Sequence, residues 1–150
     1  MDMQLIRESI RLEQPLGTVK STAVVEGEVT LPGGLREEVH VLCVEAMAVA
    51  DGAEALQDRV NVTGRVIFHV LYTQGDPTKV NSLETAADFT HLCSMPGVQP
   101  RMAATARLQV SRVEAKVSGG RMTMRAEVQA EVSVLSLTPV EAGMEMGMKC

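Results

Sequence analysis

Aromatic residues are nearly missing from this chain: among its 150 residues there is no Trp, one Tyr (Tyr72) and two Phe (Phe68 and Phe89). Surfaces that stack bases need such rings, and readers of a duplex need a basic stripe. The net charge is −5, which repels phosphate, so nucleic acid is excluded as a partner. Sugar stacking, the basis of a carbohydrate-binding sandwich, is disfavoured by the same shortage of rings. Hydrophobic residues nevertheless make up 45% of the chain, so the core has to be built from Val, Leu, Ala and Met.

Long apolar runs are missing too. None approaches the ~18–20 residues that cross a bilayer, so no membrane span is expected. The start, Met1-Asp2-Met3-Gln4, lacks the basic and apolar regions of a signal peptide, and the expectation is a product made in a cytosol. The length suits one domain with a real core.

Catalytic and cofactor signatures are also lacking. Gly33-Gly34 and Gly119-Gly120 are not followed by the Lys-Ser/Thr and helix of a phosphate loop, and no Ser sits in a G-x-S-x-G elbow. His40 and Cys43 lie on opposite faces of an alternating strand. His91 and Cys93 share a face, but two ligands do not complete a metal site. Asn61-Val62-Thr63 matches a glycosylation sequon, yet it stands in mid-strand. The expectation is a non-enzymatic chain with no metal and no cofactor.

Cysteine is scarce and odd in number: Cys43, Cys93 and Cys150. There is no CxxC pair to suggest zinc or redox work. With three thiols, at least one stays free or pairs between chains. All three are candidate inter-subunit cross-links, with Cys150 the first choice.

What the chain has is alternation. Val25, Gly27, Val29 and Leu31 alternate with Val24, Glu26, Glu28 and Thr30 up to Pro32-Gly33-Gly34, a strand running into a turn. The next ribbon carries apolar residues on both faces: Val39, Val41, Cys43, Met47 and Val49 on one, Leu42, Val44, Ala46 and Ala48 on the other. That pattern predicts a central strand covered on each side, ending in a turn that begins at Asp51-Gly52. The clearest strand places Val60, Val62, Gly64, Val66, Phe68, Val70 and Tyr72 on one face. A short ribbon over Val80–Leu83 and an extended stretch over Phe89–Cys93 precede the Met95-Pro96-Gly97 loop.

The most specific local expectation is a hairpin at Ser118-Gly119-Gly120-Arg121, whose two glycines are free to take positive φ. A two-residue loop pairs Val117 with Met122, Ala115 with Met124 and Val113 with Ala126. The intervening pairs are Lys116–Thr123, Glu114–Arg125 and Arg112–Glu127, so charges oppose one another twice. Upstream of Arg112 the apolar phase changes, which predicts a β-bulge near Ser111. The segment around Val44-Glu45-Ala46 and Val62–Val66 echoes that around Val113-Glu114-Ala115 and Val128–Val132. Two related halves of this kind pack as a sandwich. The fold class is therefore all-β, an antiparallel, jelly-roll-like β-sandwich. Residues 1–18 are read as an N-terminal arm, 19–137 as the β domain and 138–150 as a C-terminal tail. Leu5, Ile6, Ile10 and Leu12 are the arm's apolar residues and its candidate assembly contacts.

Two stretches carry a family likeness: Val25-Glu26-Gly27-Glu28-Val29-Thr30-Leu31-Pro32, and Val60-x-Val62-x-Gly64-x-Val66-x-x-x-Val70-Leu71-Tyr72. Val80, Leu83-Glu84, Phe89 and the Val-rich strand through Val134 follow in order. Over residues 19–137 the chain resembles the SPOCS domain of spore-coat proteins from endospore-forming bacteria. The resemblance implies an all-β module made in the mother-cell cytoplasm and deposited on the spore coat or spore surface. Morphogenetic members commonly add a peptidoglycan-binding LysM module; this chain has no room for one, so cell-wall binding is not carried over. The resulting expectation is a self-assembling structural subunit of a coat layer or fibre, whose partners are copies of itself and other spore-coat proteins. Its subunits would be joined by strand addition of a terminal arm and by disulfides. The alternative is an adaptor that binds a coat morphogenetic protein without polymerising.

Overall fold

The computed structural model describes residues 11–33 and 38–139, and side chains from 17 to 136 within those ranges. Six long strands follow one another: β1 (Arg11–Thr30), β2 (Val39–Leu56), β3 (Arg59–Gln74), β4 (Val80–Ser94), β5 (Ala103–Ser118) and β6 (Arg121–Pro139). They form two antiparallel sheets ordered β1-β6-β5 and β2-β3-β4, packed face to face as the expected sandwich. With six strands it is smaller than the eight-stranded jelly roll.

The central strands are β3 and β6, and their alternation explains the core. Val60, Val62, Val66, Phe68 and Val70 of β3 are fully buried, as are Met122, Met124, Ala126, Val128, Val132 and Val134 of β6. Burying each of the larger of these side chains contributes about 1.5–3 kcal/mol. Phe68 lies over Gly27, where a Cβ would stand 3.3 Å from its ring carbons. A glycine in β1 thus makes room for the fully buried ring of the core. The hairpin β2–β3 carries two bulges and β5–β6 one, and in each the second strand is the central strand of its sheet.

The β5–β6 register is the one the sequence predicts. Val117 pairs with Met122, Ala115 with Met124, Glu114 with Arg125 and Arg112 with Glu127, and the register shifts between Val110 and Arg112. Gly119 and Gly120 have φ of 61° and 79°, so the turn needs both glycines.

Three expectations are corrected. First, β2 is an edge strand, not a central one. Bulges between Val41 and Cys43 and between Ala50 and Gly52 rotate it, so that Val41, Val44, Ala46 and Ala48 pack inward and Leu42, Met47 and Val49 are exposed. Second, Asp51-Gly52 belongs to a bulge within β2; the turn comes later, at Gln57-Asp58. Third, Val80–Leu83 and Phe89–Cys93 are parts of the single strand β4. Residues 11–18, within the segment read as an arm, pair with β6, Leu12 lying opposite Thr138. Leu5, Ile6, Ile10 and Cys150 lie outside the described residues.

Candidate assembly surfaces

The two ends of the sandwich differ. At one pole Leu31 N–H donates to the Gly120 carbonyl at 2.8 Å, and the Gln74 side-chain amide donates to the Pro32 carbonyl. At the other, Asp58 N–H donates to Val98 O at 2.8 Å and Asp58 O accepts from Met95 N–H at 3.0 Å. β1 and β6 run on past this second pole. Arg11–Gln14 pair with Ser136–Pro139, whereas the pairing of β5 with β6 stops at Ala103↔Leu135. A two-stranded ribbon therefore projects from the base, and the chain enters and leaves through it.

The described cysteines lie toward opposite poles. Cys43, paired with Leu71 near the start of β2, is exposed. Cys93, paired with Val60 near the end of β4, is only 2% exposed, and burial pushes its thiol above the usual range. A buried protonated thiol is a poor nucleophile for disulfide formation, so Cys43 is the accessible one of the pair.

His91 does share the inner face with Cys93, and its Nε2 lies 2.7 Å from Ser21 Oγ on β1. That contact joins the two sheets at the β1/β4 side of the sandwich. Among the described residues no group of three His, Cys, Asp or Glu side chains is placed to hold a metal. Asn61 of the sequon has a buried side-chain oxygen with no hydrogen-bond partner among the described residues. Depressions on the surface are shallow, such as that of about 290 Å³ lined by Lys20, Arg107, Gln109, Gln129 and Glu131.

Sequence reasoning passed over Asp58. It has φ of +60°, and its Oδ1 accepts the Gly97 N–H at 2.9 Å. With its main-chain bonds, one residue clasps the β4–β5 loop, and Met95 and Val98 close the base of the core. The available signal was an Asp between two strands, since Asp tolerates left-handed φ better than most residues.

The outer faces are chemically unlike. On β1-β6-β5 the cross-strand rows carry charge of both signs: Glu26–Arg125–Glu114 and Lys20–Glu131–Arg107, with Arg121 bonded to Glu28 at 3.2 Å. On β2-β3-β4 an apolar row of Met47, Ile67 and Ala86 lies between the Glu45–His69–Glu84 and Val49–Arg65–Asp88 rows. Met47 is 59% exposed, and Leu42, Val80 and Leu92 are similarly open.

The four edges also differ. β1 shifts register between Pro15 and Gly17, β2 shifts twice and β5 once. β4 pairs with β3 from Val80 to Ser94 without a shift. β2 lies closely along β5, while β1 approaches β4 less extensively.

A family model described as the SPOCS domain of SipL matches residues 37–118, more than half of the chain, from the start of β2 to the end of β5. The Val60–Tyr72 strand lies within the match and the Val25–Pro32 strand before it. No curated protein and no solved structure matches the chain. The chain belongs to the SPOCS-domain family, which makes it a sporulation-related protein.

Proposed function

We propose that this protein is a non-enzymatic structural subunit of the spore surface that assembles with copies of itself, head to tail, through its terminal segments. The observation that carries the reading is polar: the ribbon through which both termini pass projects from one pole, and the exposed Cys43 lies toward the other. Contacts between unlike ends of one subunit generate open filaments when the rotation does not close. Cys150 stands eleven residues beyond Pro139, so an extended tail reaches up to about 36 Å, enough to meet Cys43 of the next subunit and form an inter-subunit disulfide. Synthesis in the mother-cell cytoplasm and deposition on the coat or spore surface belong to the same proposal.

The test is size exclusion with negative-stain microscopy, with and without reductant, for the whole chain and for a variant lacking residues 1–10. Ordered polymers lost on truncation are expected, with reductant weakening but not abolishing them. A monomer under every condition would leave the second reading, an adaptor for a coat morphogenetic partner. That reading is favoured by the exposed apolar row of Met47, Ile67 and Ala86 on the outer face of β2-β3-β4.

A further inference from the structure

We propose that the free edge of β4 is the acceptor for the N-terminal segment of a second copy, residues 3–12 adding as an antiparallel strand with Arg7 opposite Asp88 and Arg11 opposite Glu84. This rests on the arm-exchange reading above and names its site.

The choice of edge comes from the strands themselves. Edge strands expose a row of unpaired N–H and C=O groups, and proteins guard them with bulges, Pro or basic side chains. β1 has its register shift at Pro15/Gly17 and Lys20, β5 has a bulge with Arg107, Arg112 and Lys116, and β2 has two bulges and lies along β5. β4 has no bulge, its fifteen residues contain no Pro, Gly, Lys or Arg, and its charges are both acidic. Its inward side chains Leu83, Ala87 and Phe89 pack on the core yet stay only partly buried.

The occupant follows from charge and spacing. Glu84 and Asp88 are the only charged residues of β4 and stand four apart, on the outer face. Arg7 and Arg11 also stand four apart, so in a strand they share a face. Setting Arg7 opposite Asp88 and Arg11 opposite Glu84 in antiparallel pairing fixes the rest. Ile6 then meets Phe89, Ile10 meets Thr85 and Leu12 meets Leu83 on the inner side. Glu8 falls opposite Ala87, the smallest member of that row, at the open margin of the sandwich. Asp88 already holds Arg65 at 3.2 Å, an exposed pair that leaves its other oxygen for Arg7.

Polarity agrees. β4 runs from the Gly120 pole toward the base, and β1 runs from the base toward the Gly120 pole. An arm antiparallel to β4 therefore sets the donor in the same orientation as the acceptor, its base over the acceptor's opposite pole. Arg11 and Leu12 open the projecting ribbon, where β1 pairs with β6 on one side only. The donor's body thus begins beyond Val80, where the acceptor's β4 starts, and repetition gives a polar filament.

Two measurements on the full chain test this. In the first, the Glu84→Lys/Asp88→Lys and Arg7→Glu/Arg11→Glu variants are each expected to raise the concentration at which polymers sediment by at least tenfold. The fourfold variant carrying both changes should recover most of that loss, and circular dichroism melts should show every variant folded. Variants that polymerise like the parent, or a folded fourfold variant that fails to recover, would overturn the β4 register. If the variant lacking residues 1–10 fails to polymerise while Glu84→Lys/Asp88→Lys polymerises normally, the arm reading stands and the β4 edge falls. In the second, a fluorescent peptide of residues 1–14 is titrated with the full chain at concentrations too dilute for polymers. Binding weakened at least tenfold by Glu84→Lys/Asp88→Lys, and unchanged by Lys20→Glu/Arg107→Glu, supports the site. No binding by the parent chain would overturn it whether or not polymers form.

Discussion

Ser21 Oγ on β1 lies 2.7 Å from His91 Nε2 on β4, joining two strands that belong to different sheets and are not paired through their backbones. The site is partly buried, so the bond is shielded from water, and removing one partner leaves the other poorly satisfied. Ser21→Ala and His91→Ala are each expected to cost about 1 kcal/mol or somewhat more. Chemical denaturation followed by circular dichroism of both single variants and the double variant should give a coupling of about 0.5–1.5 kcal/mol. Additive losses would mean that the contact does not hold the sheets together.

Asp58 combines a left-handed backbone with three bonds to the β4–β5 loop, one from its carboxylate. Asp58→Ala loses the carboxylate bond to Gly97 and places a residue without a local acceptor in the left-handed region. The expected cost is about 2–3 kcal/mol. Asp58→Asn keeps both an acceptor and tolerance of the conformation and should lose about 1 kcal/mol or less. Equal losses for Ala and Asn would show that the clasp is made by the main chain alone.

Thiol reactivity should divide the described cysteines. Peptide mapping after brief alkylation of the folded, reduced protein is expected to find Cys43 modified and Cys93 untouched until denaturant is added. The raised thiol of Cys93 also has a pH signature. A group whose folded pKa lies above its unfolded value gives stability that is complete below the unfolded value and falls as pH rises through the folded one. Stability should thus be level through neutrality and decline above about pH 9, and Cys93→Ala should reduce that alkaline decline relative to the parent. Identical slopes for the two proteins would remove Cys93 as its source.

Gly64 and Gly27 both sit on the inner face, with different neighbours. A Cβ at Gly64 would stand 2.7 Å from the Val49 carbonyl oxygen and 3.0 Å from Leu108 and Phe89; at Gly27 its nearest neighbours are Phe68 ring carbons at 3.3 Å. A backbone oxygen held in a sheet yields less than a side chain. Gly64→Ala should therefore cost about 2–3 kcal/mol and Gly27→Ala clearly less, read as midpoints of the same denaturation curves. The reverse order would place the tighter packing at Phe68.

These examples show what was legible in the residues. The β5–β6 pairing was readable because two adjacent glycines fix a loop length, and a one-residue slip would bring its opposed charges out of register. β3 was readable because seven alternate positions are apolar or Gly. β2 was not, because Leu42 and Asp51 are the extra residues of bulges, and each extra residue exchanges inner and outer faces without changing composition. Ser21–His91 was beyond reach for another reason. It spans seventy positions, and local alternation carries no information about which sheet edges meet. As for the proposed assembly surface, the charges of β4 were plain in the sequence. That they lie on a sheet edge without a bulge required the strand order.

The placement of β2 yields the sharpest contrast between the two readings of its apolar residues. Were β2 covered on both sides, Leu42 and Met47 would be core residues, and a lysine at either would bury an unpaired charge. In the structure they are 55% and 59% exposed, and a lysine there keeps its ammonium in water while its stem lies along the sheet. Leu42→Lys and Met47→Lys should shift stability by no more than about 0.5 kcal/mol. Val66→Lys, at a site with no exposure on the neighbouring strand, should cost more than about 4 kcal/mol or prevent folding. Comparing melts of the three variants decides the matter. If Met47→Lys were as damaging as Val66→Lys, the outer face of β2-β3-β4 would have to be covered in the folded protein, by a second copy or by part of the chain itself.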